Sequence, residues 1–176
     1  MPGIQMRAPD GRRWTLKELI QGKPLGAPSH SMVIHFPVAF YVGALAFDIM
    51  SRVGNFADSA PLAATWLIIG AFGFTVLAVG TGLIDYFTMV AGSTKRKWAT
   101  RHMLFQFTAF GFFVVNLIVR YSDRYIKDAK PLWIILDAVG VAFMLVGQWL
   151  GGVLVYELGM RVSTAERAEA RMQQQG

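Results

Sequence analysis

The 176-residue sequence contains no cysteine. It can therefore form no disulfide, no thiolate metal site, no cysteine-ligated iron-sulfur cluster and no covalently attached c-type haem. Charged residues are also scarce, at 16% of the chain, whereas 54% of the residues are hydrophobic and the mean hydropathy is +0.42. A soluble domain needs more polar groups than this to cover its surface. The composition predicts a protein that lies in a lipid bilayer.

Long hydrophobic runs make up most of the chain. Four segments are nearly free of charge, at approximately residues 33–51, 61–91, 98–120 and 132–156. Each reaches the length of about 20 residues that a helix needs to cross a hydrocarbon core of about 30 Å. An open chain can satisfy its backbone hydrogen bonds in lipid only as a helix. The predicted fold class is all-α, an integral membrane four-helix bundle, and the sequence predicts no internal repeat.

The polar segment before the first span has organisation of its own, and its length argues against a cleaved signal peptide. Thr15 and Glu18 have the spacing of a capping box, and Trp14 and Leu19 have that of a hydrophobic staple. These signals predict a short amphipathic helix that lies along the membrane surface and ends near Gly22. The chain then divides into an N-terminal segment at residues 1–32, the bundle at residues 33–156 and a polar tail at residues 157–176.

Basic residues are unequally shared between the two sides of the predicted bundle. Twelve lie in the two tails and the middle loop, and five lie in the other two loops. The first set is Arg7, Arg12, Arg13, Lys17, Lys23, Lys95, Arg96, Lys97, Arg101, Arg161, Arg167 and Arg171, and the second is Arg52, Arg120, Arg124, Lys127 and Lys130. The positive-inside rule then predicts that both termini and the middle loop are cytoplasmic. Topology therefore explains the net charge of +6 without nucleic acid as a partner.

The chain has only three histidines, His30, His35 and His102, and all lie near the predicted cytoplasmic ends of the spans. Because the first and third spans start on the same side, His35 and His102 are expected at similar depth on diagonal helices. Imidazole is a haem ligand, and bundles hold cofactors between facing helices. We therefore predict one b-type haem between His35 and His102. In an unbroken helix His30 shares no face with His35, so it is either a loop residue or an alternative ligand.

Residues near these histidines suit a haem site. Asp85 is expected to accept the ring N–H of a ligating histidine. Arg101, together with the basic residues at 95–97, is expected to pair with the haem propionates. Pro37 is expected to bend the first helix just past His35.

Polar residues at the other ends of the spans are interpreted as structural. Asp48 and Asp137 are expected to be neutralised there by Arg52 and Arg120, and Asn116 is expected to bond across helices. The sequence has no nucleophile with a neighbouring base, no phosphate-binding loop and no repeat of the transporter type. Hydrolysis and transport are therefore not predicted.

Four stretches together resemble the DUF2231 family of small four-helix bacterial membrane proteins. They are GKPLGAPSHSMVIHFPVAF at residues 22–40, GLIDY at 82–86, RHMLFQF at 101–107 and GGVLVYELG at 151–159, and the resemblance covers about residues 15–162. It implies that the histidines hold haem or another metal. Relatives in which such a module is joined to a Rieske-type iron-sulfur domain imply a link to electron transfer.

The sequence departs from the family pattern at three positions. Ala27 and Ser31 stand where the family often carries a histidine and a proline, and Leu158 stands where many relatives carry a histidine. A second bis-histidine haem would therefore have too few ligands. The resemblance implies at most one.

Two functions from different classes fit this sequence. The first is a haem b electron-transfer subunit of a larger redox, respiratory or photosynthetic complex in the bacterial inner membrane, with other membrane or redox subunits and a quinone as partners. The second is a cofactor-free scaffold subunit of a multi-subunit complex. A copper or zinc site made by His30, His35 and His102 is a further alternative. In each case the chain is interpreted as a non-catalytic subunit rather than as an enzyme.

Overall fold

Six α-helices and two short 3₁₀ turns make up the described part of the chain, in which there is no strand. The computed structural model describes residues 7–8, 11, 13–25, 28–53 and 58–160. The helices are α1 (Leu16–Ile20), α2 (Ser29–Val33), α3 (His35–Met50), α4 (Ala60–Tyr86), α5 (Thr94–Arg120) and α6 (Pro131–Tyr156), and the 3₁₀ turns are Lys23–Leu25 and Tyr121–Asp123. With α2 and α3 counted as one span, four helices are long and apolar enough to cross a membrane. The predicted all-helical, four-span fold is confirmed.

The ends of the helices differ from the prediction by a few residues. The third span begins at Thr94 rather than near Trp98, because the Ser93 side chain accepts a hydrogen bond from the Arg96 backbone N–H (3.2 Å) and so caps the helix. The second span ends at Tyr86, earlier than expected. Most of the predicted C-terminal tail, from residue 161 onward, lies outside the described residues, as do residues 1–6, 12 and 27.

The first span is interrupted at Ile34, between α2 and α3. Pro37 lies three residues later; it has no N–H to donate, and its ring crowds the carbonyl of Val33, four residues before it. The prediction placed the bend beyond His35 and is wrong, because a proline disturbs the helical turn that precedes it. His30 and His35 are therefore on separate helices.

The surface helix α1 forms as predicted. The Thr15 hydroxyl accepts from the Glu18 backbone N–H at 3.3 Å, and the Glu18 carboxylate accepts from the Thr15 backbone N–H at 3.0 Å, which completes the capping box. The apolar side chains of Leu16 and Leu19 are 72% and 51% exposed, whereas Glu18 and Gln21 are buried against the protein. A helix with its polar side inward and its apolar side outward is suited to lie in a membrane surface.

The spans form two antiparallel hairpins, α3–α4 and α5–α6. The hairpins pack side by side, with α3 against α6 and α4 against α5, so that α3 and α5 lie diagonally across the bundle. This confirms the predicted diagonal arrangement. We name the end of the bundle that contains His102 the histidine end, and the opposite end, which contains Arg120, the arginine end.

The two hairpins repeat each other in their buried positions. The buried positions 37, 41, 44 and 48 of α3 recur 72 residues later on α5 at 109, 113, 116 and 120. Positions 64, 68, 71, 78 and 85 of α4 recur 69 residues later on α6 at 133, 137, 140, 147 and 154. Most of the residue types differ between the hairpins, so these shared buried positions are a likeness of structure and not a repeat of the sequence.

Equivalent residues of the two hairpins meet where α3 faces α5. Tyr41 stacks on Phe113, with ring centres 3.7 Å apart, and Asp48 pairs with Arg120 at 2.6 Å. Each pair joins positions 72 residues apart, and contact between equivalent positions is what a two-fold axis produces. Parallel repeats related by an axis along the membrane normal are a known form of membrane-protein symmetry. The bundle therefore has a pseudo-two-fold axis between α3 and α5.

The close packing of α5 on α6 can be tested at Gly140. A Cβ there would lie 2.9 Å from the Phe113 ring, which is fully buried and stacked on Tyr41, and so cannot withdraw. We expect Gly140→Ala to lower the free energy of unfolding by about 1–3 kcal/mol, measured by thermal unfolding of the purified protein in detergent. Gly111→Ala is the control, since nothing lies within 4 Å of its added Cβ, and it should keep or slightly raise the stability. Equal losses in the two variants would contradict this packing.

Candidate functional site

A cavity of about 450 Å³ lies among the spans at the histidine end. All three histidines and Asp85 line it, while most of the other lining side chains are apolar. Its deeper part is bounded by Tyr41, whose hydroxyl lies 3.1 Å from the Thr75 hydroxyl. This volume and this mixture of an apolar wall with a few polar groups are typical of sites for small ligands and cofactors.

His30 and His102 meet across the pseudo-two-fold axis. Their ring centres are 6.5 Å apart, and the ring planes are at 87° to each other. The two positions are again 72 residues apart, so they continue the series of equivalent contacts. His30 lies in α2, so its interpretation as a loop residue is wrong. It is this residue that faces His102, and the predicted partner, His35, lines the same cavity.

Both imidazoles are tethered to a neighbouring helix in the same way. Nδ1 of His30 lies 2.9 Å from the Ala78 carbonyl oxygen, and Nδ1 of His102 lies 2.7 Å from the Gly147 carbonyl oxygen. Because a carbonyl can only accept, each Nδ1 must carry the hydrogen and donate it. In the neutral ring, Nε2 then has a free lone pair, which is the form that binds a metal.

Two glycines make room for this arrangement. Gly82 and Gly151 each lie four residues after one of the accepting carbonyls, one turn further along the same helix. A Cβ on Gly82 would lie 2.9 Å from the His30 ring, and one on Gly151 would lie 3.2 Å from the His102 ring. The missing side chains therefore allow the imidazoles to reach the carbonyls. The same combination of carbonyl and glycine occurs once in each hairpin.

Asp85 has a partner on the surface helix. It is buried and accepts a hydrogen bond from Nε2 of Gln21 at 3.1 Å, while the ring N–H groups of His30 and His102 go to backbone carbonyls. Gln21 is the residue that ends α1. Asp85 therefore ties the surface helix to the histidine end of the bundle. Sequence reasoning missed Gln21 because it lies outside the predicted spans.

The basic residues of the middle loop lie at different places relative to the cavity. Arg101 is exposed, with its guanidinium 5.5 Å from the centre of the Trp98 ring, and it is outside the cavity lining. Arg96 lies over the Tyr86 ring at 4.7 Å and donates to the Met89 carbonyl at 3.4 Å, and these two residues line the cavity. Arg96, rather than Arg101, is thus the cation beside the cavity.

A site with three metal ligands is not found. Within the part of the chain that the structure describes, no group of three or more His, Asp or Glu side chains is arranged to hold a metal ion. This argues against the copper or zinc site made by all three histidines. His30 and His102 are left as a facing pair.

The family model of DUF2231, described as a predicted membrane protein, matches residues 26–164. The chain belongs to the DUF2231 family. The resemblance seen in the sequence motifs is confirmed, and the match covers all four spans and the cavity of this DUF2231 protein. No curated protein and no solved structure matches the chain significantly. Family and spans together establish a membrane protein in a lipid bilayer.

The hydrogen bond between Gln21 and Asp85 should help to hold α1 against the bundle. Gln21→Ala removes this buried hydrogen bond, which should weaken the docking of α1 by about 1 kcal/mol or more and raise its rate of opening roughly fivefold or more. Amide hydrogen exchange of residues 16–25 in lipid nanodiscs measures the change. Lys17→Ala is the control on the same helix, because this side chain is exposed, and its exchange should stay at the wild-type rate. Unchanged exchange in Gln21→Ala would contradict the docking role.

Proposed function

We propose that this DUF2231 protein binds one b-type haem between His30 and His102 and acts as an electron-transfer subunit in the membrane. One observation carries the proposal, namely two imidazoles that face each other across a cavity with each Nδ1 tethered to a backbone carbonyl. The proposal keeps the third span as the source of one ligand. It replaces His35 by His30 as the other.

The separation of the two rings suits a shared metal. Two metal–nitrogen bonds of about 2 Å each, with about 1 Å from each nitrogen to its ring centre, place two opposed imidazoles about 6 Å apart, centre to centre. The observed ring centres are 6.5 Å apart. A single iron could therefore be held by both residues without a large movement of either helix.

The hydrogen bonds from the two Nδ1 atoms to backbone carbonyls are typical of histidines that bind a metal. A ligating histidine usually donates its other ring N–H to a carbonyl or carboxylate, which fixes the tautomer and the ring orientation. Here the carbonyls of Ala78 and Gly147 accept these bonds, at 2.9 Å and 2.7 Å. The pseudo-two-fold axis adds a further argument. Equivalent residues on the axis offer equal ligands to the two faces of one planar group.

The surroundings favour haem over a bare metal ion. The cavity is mainly apolar and has the volume of a cofactor site, and Arg96 beside it offers a cation for a propionate. The absence of cysteine excludes the covalent c-type attachment, which leaves the b type. Such a group would supply one-electron transfer. His30 and His102 would hold it, and the apolar side chains of the cavity would keep water away from it.

The cellular setting is part of the same proposal. A group that transfers one electron at a time needs a donor and an acceptor, which favours a role beside other membrane or redox subunits, with a quinone as an electron donor or acceptor. The proposal places the protein in the bacterial inner membrane, and the distribution of basic residues favours an orientation with both termini and the middle loop in the cytoplasm.

Single histidine variants test the choice of ligands. We expect His30→Ala and His102→Ala each to abolish the sharp reduced-minus-oxidised α band of the purified membrane protein, because that band requires both imidazoles as ligands. His35→Ala is the matched control, since His35 lines the same cavity but does not face His102, and it should retain the reduced-minus-oxidised α band.

Two other outcomes are informative. Loss of the band in His35→Ala but not in His30→Ala would restore the ligand pair predicted from the sequence. A wild-type protein that stays colourless after expression and reconstitution with haem would overturn the proposal. The cofactor-free scaffold would then be the remaining function.

The adjacent glycines Gly151 and Gly152 provide a second test. A methyl group on Gly151 would press on the His102 ring at 3.2 Å, whereas one on Gly152 would have its nearest neighbour, Tyr156, at 4.0 Å. We expect Gly151→Ala to lower haem affinity and shift the reduction potential, because it displaces a ligand, and Gly152→Ala to leave both unchanged. Haem titration and spectroelectrochemistry measure the two effects. Equal behaviour of the two variants would argue against His102 as a ligand.

A further inference from the structure

The arginine end holds a second group of polar residues, far along the bundle from the cavity. Asp48 of α3, Asn116 and Arg120 of α5, and Asp137 of α6 are all completely buried. The remaining span, α4, contributes the Pro61 carbonyl, which accepts from Arg120 at 3.3 Å. All four spans therefore meet at one buried polar cluster, which we call the carboxyl cluster.

Arg120 lies at the centre of the carboxyl cluster. It donates to Asp48 at 2.6 Å, lies 3.8 Å from the Asp137 carboxylate, and has its guanidinium 4.6 Å from the centre of the buried Trp133 ring. The prediction that Arg52 neutralises Asp48 is wrong, because Arg52 donates to the Ala129 carbonyl at 2.9 Å. One guanidinium therefore faces two carboxyl groups.

The charges in this cluster do not balance if both carboxyl groups are ionised. Two carboxylates and one guanidinium leave one negative charge with no exposure to water, and an uncompensated buried charge is strongly unfavourable. Within the described residues, the other packed groups offer no second cation. The side of α4 that faces the cluster presents Thr65, whose hydroxyl donates to the Pro61 carbonyl at 2.8 Å, and α6 presents the indole of Trp133.

Both carboxyl groups of the carboxyl cluster have an oxygen that no donor reaches. These oxygens are Oδ2 of Asp48 and Oδ2 of Asp137, and Nε and Nη1 of Arg120 are likewise buried without a hydrogen-bond partner. Both carboxyl groups lie beside the same guanidinium, Asp48 at 2.6 Å and Asp137 at 3.8 Å, but two carboxylates have no donor to share between them. One added proton both supplies that donor and removes the excess charge.

We propose that the carboxyl cluster is a proton-binding site, in which Asp137 holds one proton on Oδ2 and donates it to Asp48. Asp48 is the carboxylate of the pair, because it makes the short bond to Arg120. Asp137 is the acid, because it is further than Asp48 from Arg120, whose positive charge stabilises an ionised carboxylate. This site is independent of the histidine end and of any haem bound there.

Infrared spectroscopy of the full-length protein in lipid nanodiscs at neutral pH tests the proposal. With ¹³C-labelled aspartate, the wild-type protein should show the C=O band of a protonated aspartic acid, which carboxylates lack. Asp137→Asn keeps the shape and can still donate to Asp48, so it should fold and lose the band. Asp48→Asn should also lose it, because Asp137 then ionises beside Arg120. Asp85→Asn, at the histidine end, is the control and should keep the band.

Each other outcome overturns the proposal. A wild-type spectrum without the band means that both carboxyl groups are ionised, and a dependence of the melting temperature on sodium concentration would then identify a cation as the occupant. A band that persists in Asp48→Asn means that Asp137 keeps its proton whether or not Asp48 is present to accept it, so the two residues do not share the proton. The wild-type spectrum decides the question even if a variant fails to fold.

The double variant Asp48→Asn/Asp137→Asn provides an independent measurement. It leaves the buried Arg120 without any carboxylate, whereas either single variant still leaves one. The melting temperature should therefore fall by more in the double variant than in the two single variants added together. Additive falls would show that the two carboxyl groups are not alternative partners of Arg120, which contradicts the shared site.

Discussion

The stack of Tyr41 on Phe113 is the contact on which the rest of this structure depends. It joins α3 to α5 on the pseudo-two-fold axis, with ring centres 3.7 Å apart and both side chains buried. Residues on the same face of the first span, a whole number of helical turns from Tyr41, therefore lie opposite the residues 72 positions later on α5. Asp48 and Arg120, seven residues further along each helix, meet at one end, and the two facing histidines meet at the other.

The same geometry has different chemical results at its two ends. At the histidine end the equivalent residues are identical, which suits one ligand with two equal faces. At the arginine end they carry opposite charges, so they pair with each other, and Asp137 adds an acid that has no counterpart on α4, where Ile68 occupies the equivalent position. A repeated pattern of burial therefore places side chains in pairs, while the residue types decide what each pair can bind.

The orientation of the two facing histidines is set by the helices that they contact. A glycine one turn beyond each accepting carbonyl removes the methyl group that would block the imidazole. A single methyl group at either glycine would therefore disturb the position of a facing histidine.

The sequence alone determined the features that depend on hydropathy and on local bonds. These are the membrane environment, the number of spans, the capping box of α1 and the exclusion of thiolate chemistry. Only the tertiary structure decided that His30 faces His102, that Gln21 bonds to Asp85 and that Arg120 serves both buried carboxyl groups. The physical reason is that hydropathy places a residue at a depth in the membrane, whereas its partner depends on how each helix is rotated and where it breaks. In this bundle, those rotations are set by packing between residues that are distant in the chain.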